Sequence, residues 1–273
     1  MLGQYELNKI YCEDCYKAIK KIPTKSIDLI YTDIPYDIED NGGGCFGEKK
    51  RNYHREYELI CANTNSTDKA KSIMKSIVGL GDITYGIDFA ILDEFCRVCK
   101  KIYVYIWCSK KQILPLMNYF VGGKGCRFEI LTWHKTNPVP TCNNKYLSDT
   151  EYCLMFREEG TYIDGNMKSK GKYYESISEE DGFWVSPINT ADKSKFSHPT
   201  IKPLKFVENM IFNSVQEGGL VLDPFMGSGT TAVACKNLGR NYIGFEINPK
   251  WHKIACDRIN NIQANGQMSM FTE

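Results

Sequence analysis

The chain has 273 residues, 42% of them hydrophobic, and its 34 Lys and Arg against 33 Asp and Glu leave a formal charge of +1. That length builds one large α/β domain with insertions, and the near-zero charge excludes a globally basic surface as the means of holding a polyanion. No apolar run reaches the roughly 20 residues that span a bilayer, and the N-terminus lacks the charged-then-apolar layout of a signal peptide, so a soluble, cytoplasmic protein is expected.

In chain order the pattern predicts a strand over 5–11, a helix over 15–22 and a buried strand over 27–31, which runs into Tyr31-Thr32-Asp33-Ile34-Pro35-Tyr36-Asp37. A glycine-rich polar stretch over 37–65 follows, with Gly42, Gly43 and Gly44 ahead of Lys49, Lys50 and Arg51, and reads as a mobile substrate loop. Next come a helix over 89–100, a strand over 103–108, a helix over 111–120 and strands over 128–133 and 151–156. Residues 157–197 show no periodicity. Beyond them are a helix over 203–215, a strand over 220–222, helices over 230–238 and 249–263 separated by a strand over 242–245, and a tail over 264–273. Strands alternating with helices imply a parallel or mixed sheet in a single domain, 1–273.

Basic residues concentrate between Arg97 and Lys135, where Lys100, Lys101, Lys110, Lys111, Lys124 and Arg127 also lie and Glu129 is the one acid. Such a patch could track phosphates, but on charge alone solvated helix and loop faces are the expectation. Two CxxC pairs, Cys12/Cys15 and Cys96/Cys99, raise zinc, but no further ligand pair at structural-zinc spacing completes either, so no metal is expected.

Val221-Leu222-Asp223-Pro224-Phe225-Met226-Gly227-Ser228-Gly229-Thr230 reads as strand, tight turn and helix start. Glycines there let the backbone approach a ligand, and Glu246, ending the next strand, is placed to accept from ribose hydroxyls. The turn lacks the third glycine of a dinucleotide fingerprint and the Lys of a phosphate-binding loop, which weakens both readings. A structural turn remains the alternative.

TDIPYD, SHPTIKPLKFVENMI and LDPFMGSGTTAVACKNLGRNYIGFEINPKW together resemble the S-adenosylmethionine-dependent amino-methyltransferases of DNA, which act on adenine N6 or cytosine N4. The DxPY segment precedes the glycine turn, as in the circularly permuted β class. YCEDC at 11–15 is similar to that family's GDC element, FCRVCK at 95–100 to its RVLK helix end, and WHKTNP at 133–138 to its WxKxNP segment. The resemblance implies a Rossmann-like methyltransferase sheet in permuted motif order, with loop insertions for DNA recognition.

By matching position, the resemblance implies that Asp14 meets the cofactor's adenine and Glu246 its ribose. It implies that Thr200 and Lys202 lie near its carboxylate, that Asp223, Phe225, Gly227, Ser228, Gly229 and Thr230 surround the methionyl half, and that Asn248 touches the adenine edge. From the residues alone, Asp14 also suits a helix N-cap, Lys202 a surface charge and Asn248 an Asn-Pro turn. Asp33 and the Ile34 carbonyl are implied to accept the two hydrogens of the target amine, Pro35 to shape the loop and Tyr36 to stack on a flipped base. Ile34 replaces the usual proline, and its loss of the ring is expected to loosen the loop. None of the ten prolines is followed by Cys, so the nucleophile of ring-carbon methylation is absent.

Asp at the head of the motif favours adenine N6. Cytosine N4 and a catalytically silent DNA-binding relative are the alternatives. The 157–197 segment is the expected target-recognition region, in an enzyme of the restriction-modification kind. Gln267-Met268-Ser269-Met270-Phe271 resembles the peptide by which bacterial replication proteins dock on the sliding clamp.

Overall fold

The computed structural model describes residues 1–37, 86–138, 148–164, 185–186 and 201–265. Eight strands form one sheet in the order β1-β8-β7-β2-β3-β5-β4-β6: β1 (Lys9–Tyr11), β2 (Leu29–Asp33), β3 (Tyr103–Cys108), β4 (Arg127–Lys135), β5 (Thr150–Arg157), β6 (Val185–Ser186), β7 (Leu220–Asp223) and β8 (Asn241–Phe245). Strands from β1 to β3 in that order pair in parallel, while β5 runs antiparallel to both β3 and β4. Helices are α1 (Cys15–Ala18), α2 (Ile91–Val98), α3 (Lys110–Met117), α4 (Leu204–Ser214), α5 (Thr230–Asn237) and α6 (Pro249–Asn265).

Alternation along the strands sends side chains to two cores. Ile30, Ile34, Val104, Ile106 and Cys108 join α1, α2 and α3 on one face, where Phe95 and Leu116 are buried. Leu29, Tyr31, Tyr105, Trp107, Cys153 and Met155 join α4 and α5 on the other. Central strands buried on both sides read as continuous hydrophobic runs, which is why β2 and β3 were legible.

Two predicted helices stop early for local reasons. Predicted helix 15–22 tightens after Ala18 into a 3-10 turn, Ile19–Lys21. The helix predicted over 111–120 holds Pro115, which cannot donate to the preceding turn, and passes at Asn118–Gly123 into a π-helical turn. Strand 5–11 shortens to Lys9–Tyr11 because Leu2 and Tyr5 bond to each other across a turn, and Asn8 adopts a positive φ.

After β2 the chain proceeds to β3 on one side, and after β7 to β8 on the other. Side-by-side β2 and β7 are therefore the switch point of the sheet, where α/β folds open a crevice beyond the strands' carboxyl ends. Asp33 ends β2 there and Asp223 ends β7.

Candidate active site

Parity decides which side chains meet at this rim. Asp33 follows Leu29 and Tyr31 at two-residue steps, Glu151 precedes Cys153 and Met155, and Lys135 follows Trp133, so all three face the α4 side of the sheet. Lys202, just ahead of α4, enters from that side. Its Nζ lies 2.6 Å from Asp33 Oδ2 and 3.0 Å from Glu151 Oε2, and Lys135 Nζ lies 2.5 Å from Glu151 Oε1. Two carboxylates and two ammoniums thus alternate in a balanced chain.

Tyr36 closes the group. Its hydroxyl donates to Glu151 Oε2 at 3.2 Å and accepts from Lys202 at 3.3 Å, while the Lys202 ammonium stands 5.4 Å from the Tyr36 ring centre and 5.1 Å from that of Trp107. Burial alone raises a carboxyl's pKa, but Lys202 and Lys135 outweigh it at Glu151 and hold that group down to about 2. At Asp33 burial prevails over Lys202, with Glu151 adding to it, and the pKa is raised. Burial opposes charge on Lys202, yet Asp33 and Glu151 together raise its pKa.

Ile34 turns to the opposite face and is buried in the core there, and its amide donates to the Trp107 carbonyl at 3.3 Å. Proline has no such N–H, so the expected loosening is offset by a core side chain and one more backbone bond. The Pro35 carbonyl accepts from buried Gln112 Nε2 at 2.9 Å, and Gln112 Oε1 accepts from the amide and hydroxyl of Ser109 in the capping box of α3. The loop leaving β2 is thereby fastened to β3 and α3.

On the other side of the switch point, Gly227 and Gly229 hold φ of +53° and +82°. Gly227 N donates to Glu246 Oε2 at 2.9 Å and Asn248 N to Oε1 at 2.8 Å, which fixes the Glu246 carboxylate beyond β8. Glu246 N in turn donates to the Tyr11 carbonyl, and three residues on Asp14 caps α1 by accepting from Tyr16 N at 3.0 Å. The Tyr16 ring meets the Phe225 ring edge-on at 6.4 Å. Asn248 caps the start of α6 through Lys250 N at 2.9 Å.

With that geometry in view, the family model described as DNA methylase, of the N6 and N4 amino-methyltransferases, matches residues 27–257. The chain belongs to this DNA amino-methyltransferase family. Among its relatives, the Type II methyltransferase M2.LlaDCHI of Lactococcus lactis subsp. cremoris is 29% identical over 262 residues, covering 90% of this chain and 87% of its own. M.HpaI of Haemophilus parainfluenzae is 28% identical, covering 92% and 74%. The crystal structure of the M1.HpyAVI complex with S-adenosylmethionine superposes with a TM-score of 0.55 at 26% identity, over 92% of this chain and 98% of that one. PvuII DNA methyltransferase, cytosine-N4-specific, shares the fold with a TM-score of 0.57 at 15% identity, over 95% and 93%. The protein is an S-adenosylmethionine-dependent DNA amino-methyltransferase with a Rossmann-like sheet.

The turn of this methyltransferase fits its cofactor. The positive φ of Gly227 and Gly229 sets the tight turn, and Glu246 is oriented beside it by two backbone donors. Ser228 and Thr230 are buried, and their hydroxyls face Arg258 Nη1 of α6 at 3.4 and 2.9 Å, so what they offer a ligand is main chain. Asp223 is buried, accepting from Phe225 N and Thr231 Oγ1; it supports the turn from below.

Lys202 was expected near the cofactor's carboxylate; its ammonium lies on Asp33 and Glu151. Thr200, most of the 37–65 loop, the 157–197 segment apart from 157–164 and 185–186, and the clamp-like peptide at 267–271 lie outside the described residues. Sequence reasoning missed Gln112, Arg258 and Glu151, and quoted Lys135 only within the WxKxNP-like segment and the basic patch. The parity of the strands carried a signal that Glu151 and Lys135 meet at the rim. Among the described residues no group of three or more His, Cys, Asp or Glu is arranged to hold a metal, and no helix is long and apolar enough to cross a membrane.

Proposed function

We propose that the transferred methyl goes to adenine N6. The observation that carries this reading is the Asp33 carboxylate at the end of β2, a charged acceptor beside the main-chain carbonyl of Ile34. Asp rather than Ser at the head of the motif favours adenine over cytosine.

An exocyclic amine is a poor nucleophile because its lone pair is delocalised into the ring. Asp33 and the Ile34 carbonyl accept its two hydrogens, which draws the nitrogen toward a tetrahedral shape and frees the lone pair. Tyr36, its hydroxyl tied to Glu151 and Lys202, presents a fixed ring on which the extruded base stacks. Gly227, Gly229, Glu246, Asp14 and Phe225 hold the cofactor, with Asn248 and Thr230 at the helix starts beside it. S-adenosylmethionine supplies an electrophilic methyl group when bound. Asp33, whose pKa burial raises, is the base placed to take the proton shed by the methylated amine. Residues 157–197 select the target sequence.

The test is to incubate the full chain with methyl-labelled S-adenosylmethionine and mixed-sequence DNA, digest the DNA and identify the labelled nucleoside by mass spectrometry. N6-methyladenine is expected. N4-methylcytosine, or no label while cofactor binding is intact, overturns the reading.

A further inference from the structure

The acceptor carboxylate does not stand alone. Asp33 is 27% exposed, whereas Lys202 is 6% and Glu151 17% exposed. Asp33 is thus the member that reaches into the crevice, and the others lie behind it. Glu151 is the hub of that backing. One of its oxygens takes Lys135, and the other takes both the Lys202 ammonium and the Tyr36 hydroxyl. Among the described residues, the groups that bond the Asp33 and Tyr36 side chains on this face are Glu151 and Lys202, which Glu151 itself holds.

We propose that Glu151 is a positioning residue of the transfer reaction: its carboxylate holds the Lys202 ammonium and the Tyr36 hydroxyl, and through them sets the Asp33 carboxylate to receive the target amine. Sharing the ammonium is the essential point. With Glu151 charged, Lys202 divides its donors between two carboxylates, and Asp33 keeps acceptor capacity for the amine. With Glu151 neutral, Asp33 is the one carboxylate left beside Lys202, whose ammonium then engages it fully. This inference rests on the reading of Asp33 as the amine's acceptor, whichever base carries that amine.

Groups around Asp33 define the sign of the pH effect. Lys202, Tyr36, Glu151 and, one link away, Lys135 are its charged and polar neighbours, and Tyr31, Cys108, Cys153 and Asp223 are the other titratable groups in electrostatic reach. Burial pushes Tyr31 and Cys153 far up and Cys108 to about 12, so they stay neutral across the working range. The Glu151 charge raises the Asp33 pKa, so its removal lowers it.

Glu151→Gln, the isosteric neutral variant, is the test. Total label in DNA is the readout, so a cytosine product would sink the adenine reading and leave this experiment intact. A fall in kcat of about 10- to 100-fold is expected, as for one charge-assisted contact. Cofactor affinity should change by less than about threefold, and the acid limb of the pH–rate profile should move to lower pH. Wild-type kcat, or a loss confined to cofactor affinity, overturns the proposal. Carbon-13 NMR titration of Asp33 in both proteins reads the same network without turnover: a lower pKa in the variant is expected, and an unchanged one overturns it. Should the Gln variant not fold, Glu151→Asp shortens the reach while keeping the charge, and wild-type kcat there overturns the proposal as well.

Discussion

Gln112 Nε2 donates to the Pro35 carbonyl at 2.9 Å, so the cap of one helix and the loop of the acceptor carboxylate share a single amide. Gln112→Ala frees the Pro35 carbonyl and strips the Ser109 amide of its partner. Because the site is buried, a loss of about 1–3 kcal/mol in urea unfolding is expected. Transfer should slow with cofactor affinity unchanged, since nothing on the glycine-turn side is touched.

Gly229 combines a φ of +82° with a close neighbour: a Cβ there would lie 3.0 Å from Ala255 Cβ and 3.1 Å from its Cα. Gly229→Ala therefore meets both a left-handed backbone, costing about 1–2 kcal/mol, and a helix that cannot retreat freely. Weaker S-adenosylmethionine binding by calorimetry and a lower melting temperature are expected together.

Arg258 holds the same turn from below, donating from Nη1 to Thr230 Oγ1 at 2.9 Å and to the Ser228 carbonyl at 3.3 Å. Arg258→Met keeps the aliphatic stem and removes the donors. KM for the cofactor should rise while kcat at saturation changes little, because the variant disturbs the cradle and not the acceptor pair. Steady-state kinetics at varied cofactor concentration separate the two.

Asp223 supplies a pH signature. Burial raises its pKa to about 7 against the hydrogen bonds from Thr231 and Phe225. A carboxyl with a higher pKa folded than unfolded binds its proton more tightly in the native state, so its contribution to stability is full below about pH 4 and is lost as pH rises through about 7. Wild type should lose about 1.4 kcal/mol per pH unit across that window relative to Asp223→Asn, which has no proton to lose. Paired urea melts at pH 5 and 7 measure it, and parallel curves for the two proteins would refute it.

The sheet was legible where the signal is local. Strand 103–108 was predicted to the residue because six buried side chains in a row leave little else for Tyr103–Cys108 to be. Helix 249–263 showed its apolar stripe, and the family motifs pointed to Asp33 and Glu246. Pairings across the chain were not legible: Lys202 meets Asp33 over 169 positions, and no pattern near either residue announces the other. The surroundings of Ile34 were hidden for a related reason. Its value lies in a core face and an amide bond to Trp107, both properties of the assembled sheet.

Because β5 runs against β3, Glu151 arrives from the beginning of its strand at the same rim that Asp33 reaches from the end of its own. A parallel strand brings only its exit to this rim, and with it a loop that must continue somewhere. The reversed strand brings its entrance, with Lys135 delivered next to it from β4. Chain reversal at β5 thus furnishes the back wall of the crevice with Glu151, against which the exit of β4 sets Lys135, and the exits of β2, β7 and β8 face the reactants.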